Sequence, residues 1–153
     1  MKGEIRYIEL KSGFGDSGPA WIGLVEYSKS GQTVYFNDMA LKKLKKPGIS
    51  GNHFDIETGE EYWISGVKKN GQDRHWAGGG KIMIDEEIIE DYLKLVDFDI
   101  IENRNFDIVN INKQIDKTRF DKIENDKGEI PTPQFGEYYK WYWDNNRRKL
   151  MKE

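Results

Sequence analysis

Two glycine turns between residues 51 and 85 constrain the fold of this chain more than any other feature of its sequence. Thr58-Gly59 and Asn70-Gly71 each lie between short runs that are rich in aromatic and β-branched residues. Asn-Gly in that setting is a strong hairpin signal, because both central residues of a type I′ turn need a positive φ. The pattern predicts a three-stranded antiparallel meander over residues 53–56, 61–67 and 74–84.

The residues before these turns predict three more strands, at 5–10, 21–27 and 33–36. The segment 37–52 predicts one helical turn and then a loop, since Pro47-Gly48 stops a helix. Asp85 is a predicted N-cap, and apolar residues at helical spacing follow it as far as Val96. Because closure removes exposed strand edges, we predict an α+β, mainly β fold. Its domain at 1–96 is a small SH3-like or OB-like antiparallel barrel closed by one helix.

Residues 97–153 predict an α-rich C-terminal appendage packed on the barrel. Phe-Asp-Ile occurs at 98–100 and again at 106–108, and two copies eight residues apart suggest a hairpin. Sparse apolar positions over 110–129 fit a short helix, and the aromatic residues after Pro133 fit a C-terminal helix.

Composition excludes several chemistries. The chain of 153 residues has no cysteine, which removes disulfides, cysteine-ligated zinc and thiol nucleophiles. The net charge of −3 is the opposite of the basic excess that is usual for nucleic-acid binders. No signal peptide or membrane span is visible, so we expect a cytoplasmic protein. Separately, we predict no metal and no cofactor.

The candidate ligand-binding residues are the consecutive Asp73, Arg74, His75 and Trp76, which precede three glycines. An imidazole beside a carboxylate suits acid–base chemistry near neutral pH. In a strand, Asp73 and His75 would share one face, and Arg74 and Trp76 would share the other, with Trp76 in the barrel core. The competing interpretation is structural: cross-strand ion pairs, one core tryptophan and a glycine bulge.

Two other segments are candidate surfaces. The basic residues Lys42, Lys43, Lys45 and Lys46 form a candidate nucleic-acid patch, or else an ordinary solvated loop. Aromatic residues and arginine are enriched at the centres of protein interfaces. The candidate partner surface is accordingly Tyr139, Trp141, Trp143, Arg147 and Arg148, unless that helix packs on its own barrel.

Three stretches resemble a family of small, uncharacterised bacterial proteins with no assigned activity. They are GPAWIG at 18–23, SGQTVYFN at 30–37 and ETGEEYWISGVKKNGQDRHWAGGGKIMID at 57–85. The resemblance covers about residues 5–93. It implies a freestanding first part with an added tail, and it transfers no catalytic or binding residues.

The sequence favours a non-enzymatic cytoplasmic binding or regulatory module that acts through a protein partner, in the manner of immunity or defence proteins. A homodimer is compatible with this interpretation. The first alternative is a nucleic-acid-binding barrel that uses the lysine patch with exposed aromatics. The second is a small-ligand binder or enzyme centred on Asp73 and His75.

Overall fold

The computed structural model describes residues 3–13, 17–45, 51–74 and 79–126, with eight strands and two α-helices in these ranges. The strands are β1 (Glu4–Leu10), β2 (Ala20–Tyr27), β3 (Thr33–Phe36), β4 (Met39–Lys43), β5 (His53–Asp55), β6 (Glu61–Ser65), β7 (Ile82–Asp85) and β8 (Phe106–Val109). The helices are α1 (Ile89–Leu93), which continues a 3₁₀ turn at Glu86–Ile88, and α2 (Lys117–Asp126).

Six of the strands close into an antiparallel barrel in the order β1-β6-β5-β4-β3-β2, with β1 and β2 pairing to complete it. β7 runs parallel to β2 and pairs with its beginning, at Trp21 and Ile22, whereas β3 pairs with its end, at Glu26 and Tyr27. β8 runs parallel to β7 and extends the sheet beyond the barrel. The predicted mainly β fold with an antiparallel barrel is therefore confirmed.

The barrel interior is filled by alternate residues of its strands, as the period of two in a β-strand requires. Trp21 is fully buried there, with its ring centroid 6.1 Å from that of Phe36 and 6.5 Å from that of Tyr62. Ile111, from beyond the predicted barrel domain, also belongs to this core. The central tryptophan that the structure shows is thus Trp21, while Trp76 lies outside the described residues.

Two further apolar clusters lie on the outside of the barrel. One packs α1 and the chain that follows it onto β1, β2 and β7, and its buried members are Tyr7, Ala20, Ile22, Ile82, Ile84, Ile88, Tyr92 and Phe106. The other packs α2 onto β3–β5 through Phe120, which stacks on Tyr35 at 5.9 Å between ring centroids. The predicted N-cap Asp85 is confirmed, because its Oδ1 accepts a hydrogen bond of 3.1 Å from the N–H of Glu87.

The prediction of a three-stranded meander is wrong for its third strand. The turn at Thr58-Gly59 joins β5 to β6 as expected, and the chain also turns at Asn70-Gly71. Asn70, however, does not have a positive φ, and β7 pairs in parallel with β2 and β8 and not with β6. Of the strand predicted at 74–84, the described part is a strand only from Ile82.

The helical turn predicted after residue 36 is also wrong, because that segment is the strand β4. Asn37 and Asp38 have φ values of 50° and 64° and form a two-residue turn between β3 and β4. This is the type I′ signature, and asparagine and aspartate are among the residues that tolerate it. The two-residue type I′ turn is therefore at Asn37-Asp38 and not at Asn70-Gly71.

The chain after residue 96 is described as far as residue 126. Residues 98–100 are not a strand, so the predicted hairpin is absent there, and β8 pairs with β7 instead. The predicted helix within 110–129 is confirmed as α2. The predicted C-terminal aromatic helix lies outside the described residues. In the part of the chain that is described, neither helix is long and apolar enough to cross a membrane.

Candidate functional site

A groove of about 670 Å³ opens at the beginning of β7 and β8. Its walls come from the 70–72 turn, the start of β7 and the segment between α1 and β8. Its lining residues are Asn70, Gly71, Gln72, Gly80, Lys81, Ile82, Phe98, Ile100, Glu102, Arg104, Asn105 and Phe106. Four apolar side chains share this lining with polar and charged ones, and the volume is within the range of ligand-binding clefts.

The local sequence explains one wall of the groove. Gly71 has a φ of 75°, and a Cβ placed on it would lie 2.7 Å from Cε1 of Phe98. The backbone N–H of Asp97 donates a hydrogen bond of 2.8 Å to the carbonyl of Lys69. Only glycine therefore lets the 70–72 turn lie directly on Phe98, and this contact closes that side of the groove.

The polar groups of the groove are held by local contacts. Arg104 Nε pairs with Glu102 Oε1 at 3.0 Å, and Lys81 Nζ lies 3.5 Å from Asp107 Oδ1. The charges in and beside the groove are therefore balanced. Its floor is aromatic, since the rings of Phe98 and Phe106 lie 6.4 Å apart.

Among the strands of the described residues, β8 forms the edge of the sheet beside this groove. Ile82 N–H donates to the carbonyl of Asn105, so the parallel register turns the N–H groups of Asp107 and Val109 toward β7. The N–H and carbonyl of Ile108 consequently point away from β7, and no other described strand pairs with that side. The side chain of Ile108 is half exposed, and Ile100 in the groove is 64% exposed.

The structure places two of the predicted ligand-binding residues, Asp73 and Arg74, in a coil segment next to the groove. Because the segment is not a strand there, the predicted alternation of faces does not apply to them. Arg74 Nη1 donates to the carbonyl of Gly18 at 3.0 Å, and Nη2 donates to that of Lys81 at 3.2 Å. Arg74 thus ties two loops to the barrel. His75 and Trp76 lie outside the described residues.

Arg74 also reaches a buried carboxylate that the sequence analysis missed. Glu9 is 1% exposed, and its Oε2 lies 3.6 Å from Arg74 Nη1 and 3.2 Å from Lys11 Nζ. Its Oε1 accepts a hydrogen bond of 2.5 Å from the Tyr7 hydroxyl. Burial and this hydrogen bond raise the pKa of Tyr7. The position of Glu9 in an apolar strand, two residues from Tyr7, was the available signal.

Asp73 has one satisfied oxygen and one unsatisfied oxygen. Oδ1 accepts a hydrogen bond of 2.7 Å from the N–H of Lys68, whereas Oδ2 is buried without a hydrogen-bond partner among the described residues. The buried hydroxyl of Tyr92 likewise has no hydrogen-bond partner there. Burial raises the pKa of Asp73, and burial together with the charge of Asp73 raises the pKa of Tyr92. These groups lie behind the groove floor, since Phe98 packs edge-on against Tyr92.

His53 serves the structure of the β5–β6 region. Its Nδ1 lies 2.8 Å from Oδ1 of Asn52, which also accepts the N–H of Ile64. Burial, with the nearby charge of Lys43, lowers the pKa of His53 to about 4. Within the described ranges, no group of three or more histidine, aspartate and glutamate side chains is arranged to hold a metal ion.

The lysine patch is divided by the strand that carries it. Lys42 and Lys43 are neighbours in β4, so their side chains point to opposite faces. Lys42 Nζ is 3.3 Å from Glu124 Oε2 on α2, and Lys45 is exposed. Lys46 and all five residues of the candidate partner surface (Tyr139, Trp141, Trp143, Arg147, Arg148) lie outside the described residues.

Comparison with protein-family models, with curated proteins and with solved structures finds no match for this chain. The function proposed below therefore depends on the geometry of the groove and the sheet edge.

Proposed function

We propose that the chain is a non-enzymatic protein-binding module that takes up an extended segment of its partner along β8. The observation that carries the proposal is that β8, the edge of the sheet in the described part of the chain, lies beside a groove lined by Phe98 and Phe106. An extended peptide that adds to a sheet edge gains affinity from main-chain hydrogen bonds, and pockets for its alternate side chains give specificity.

The edge strand β8 is short but contains neither lysine nor proline. Soluble proteins protect such edges with lysine, proline or a bulge. β8 has the sequence Phe-Asp-Ile-Val, and its one charged residue, Asp107, faces Lys81 at 3.5 Å. Ile108 and Ile100 add exposed apolar surface on the edge strand and in the groove. These features favour a strand of a partner protein as the occupant.

The alternatives have less support. A nucleic-acid surface at the lysine patch would need its cations on one face, whereas Lys42 and Lys43 point apart and Lys42 faces Glu124. An active site at Asp73 and His75 would need an accessible acid–base pair, but Asp73 bonds the backbone of its own loop. An SH3-like or OB-like identity, a cytoplasmic location and a regulatory role, as in immunity or defence proteins, belong to the same proposal.

The test is quantitative capture from host-cell lysate with the immobilised full-length protein and three variants. Ile108→Pro removes the outward N–H without touching a hydrogen bond to β7, and Ile108→Ala keeps that N–H. Leu95→Glu alters an exposed apolar residue elsewhere. Leaving a partner carbonyl unpaired costs about 1–3 kcal/mol, which is roughly five- to hundredfold in affinity.

We expect wild type and Leu95→Glu to capture a stoichiometric partner. Ile108→Ala should bind this partner more weakly, and Ile108→Pro should not retain it. Absence of any stoichiometric partner across several growth conditions contradicts the proposal. A partner that all variants retain equally contradicts binding at β8. Sedimentation of the purified protein shows whether the captured partner is a second copy of this chain.

A further inference from the structure

Two buried acids flank the turn between β5 and β6: Asp55 at the end of β5 and Glu60 just before β6, which we call the carboxyl pair. Each is only 2% exposed. The N–H of Asp55 donates a hydrogen bond of 2.9 Å to the carbonyl of Glu60, so the two residues face each other across the turn. The charge of Asp55 adds to burial in raising the pKa of Glu60.

The surroundings of the carboxyl pair do not compensate two negative charges. Asp55 Oδ1 accepts the N–H of Glu57 at 2.8 Å, and the hydrogen bond from the Thr58 side chain and the charge of Arg119 also favour its carboxylate, but burial outweighs these contacts. Glu60 Oε1, in contrast, is buried without a hydrogen-bond partner among the described residues. A buried carboxylate without partners is strongly disfavoured relative to its protonated form. Burial accordingly raises the pKa of Asp55 to about 7, and burial with the charge of Asp55 does the same for Glu60.

The charged groups near the carboxyl pair come from three elements of the described chain. The turn itself supplies Glu57, and the β3–β4 turn supplies Asp38. α2 supplies Arg119, which lies 3.0 Å from Glu57 Oε2 and 3.2 Å from Asp38 Oδ1. The cation is therefore shared with three other carboxylates, because Asp116 Oδ2 also lies 3.7 Å from Arg119 Nη1. Glu61, next in the chain, turns its carboxylate to the N–H of Gly51 at 3.1 Å.

The same turn fastens α2 to the barrel. Arg119 Nη2 donates to the carbonyl of Asp38 at 2.7 Å and to Glu57 Oε1 at 3.1 Å. The next residue, Phe120, is the one fully buried apolar side chain in the described part of α2 and packs with Ile56 at the start of the turn. A change in the shape of this turn therefore acts directly on the docking of α2.

We propose that the carboxyl pair retains at least one proton while the turn is closed, and that loss of this proton opens the turn and releases α2 from the barrel. Since both groups bind protons more tightly when the turn is closed, the closed form is most stable below about pH 4. It loses stability as the pH rises toward 7, and little further change follows above that value. One linked proton increases the opening equilibrium up to about tenfold per pH unit within this window.

Hydrogen exchange of the full-length protein tests the proposal through the amides of α2, corrected for the intrinsic pH dependence of exchange. We expect the protection of residues 117–126 to fall at least about tenfold between pH 5.5 and 7.5. The double variant Asp55→Asn, Glu60→Gln should abolish this dependence, whereas Glu90→Gln, which alters an exposed acid, should keep it. Constant protection in wild type, or an unchanged pH dependence in the double variant, overturns the proposal.

If the double variant does not fold, a second measurement on the wild-type protein still tests the proposal. Carbon-13 NMR of the wild-type side-chain carboxyl groups follows each acid directly. Titration of at least one of the two acids near pH 7 supports the proposal, because it shows that the carboxyl pair retains a proton up to neutral pH. Titration of both groups near pH 4, the range of exposed acids, overturns it.

Discussion

At the scale of single residues, Arg74 illustrates how a residue with a catalytic appearance can serve the fold. It joins the carbonyls of Gly18 and Lys81 and lies 3.6 Å from the buried Glu9. Its sequence context, between an aspartate and a histidine, predicted chemistry. The buried carboxylate that Arg74 faces is 65 positions earlier in the chain, on β1, and sequence spacing does not reveal this pair.

We predict that Arg74→Ala lowers the free energy of unfolding by about 3 kcal/mol, because it removes one of the two cations beside the buried Glu9 and the hydrogen bonds to the carbonyls of Gly18 and Lys81. Urea denaturation of the purified variant measures this change. Arg104→Ala is the matched control, since that arginine also forms an ion pair but its side chain is 81% exposed. The control should change stability by less than about 0.5 kcal/mol. Equal costs for the two variants would mean that Glu9 does not depend on Arg74.

At the scale of elements, α2 is attached mainly through Phe120, which is 3% exposed and stacks on Tyr35. We predict that Phe120→Ala weakens the docking of α2 by about 3 kcal/mol. Hydrogen exchange should show lost protection at residues 117–126, with the strands of the barrel still protected. Ile100→Ala, an exposed apolar residue outside this contact, is the control. Loss of barrel protection in Phe120→Ala would show that α2 and the barrel unfold as one unit.

Local pattern was sufficient for most elements. The strands β1, β2, β3, β5 and β6, the N-cap Asp85 and the helix α2 all follow from alternation, turn residues and helical spacing. β4 was missed because Asn37-Asp38 was not read as a two-residue turn. The partners of β7 and β8 could not be predicted, because parallel pairing depends on a crossover and leaves no local turn signal. The groove was missed for the same reason, since its walls meet only through that crossover.

At the scale of the whole molecule, the predicted domain boundary at residue 96 divides groups that pack together. Phe106 and Ile111, both buried, lie in the clusters of the barrel region.

We predict that a chain ending at residue 96 is unfolded or molten. Burial of each large apolar side chain contributes about 1.5–3 kcal/mol, and a domain has only about 5–15 kcal/mol in total. Circular dichroism and thermal melting measure the outcome. A chain ending at residue 126 is the control, because it retains these side chains. A cooperative melt of the shorter chain would support the boundary at 96.

The most direct test of the binding proposal is hydrogen exchange of the Ile108 amide with and without the captured partner. That N–H points away from β7, so a partner strand on β8 should protect it, by roughly a hundredfold when the partner is present at about 100 times Kd. The amides of Asp107 and Val109, which already face β7, should change less. If the partner leaves Ile108 unprotected and protects another part of the barrel, such as β4, then β8 is not the binding edge.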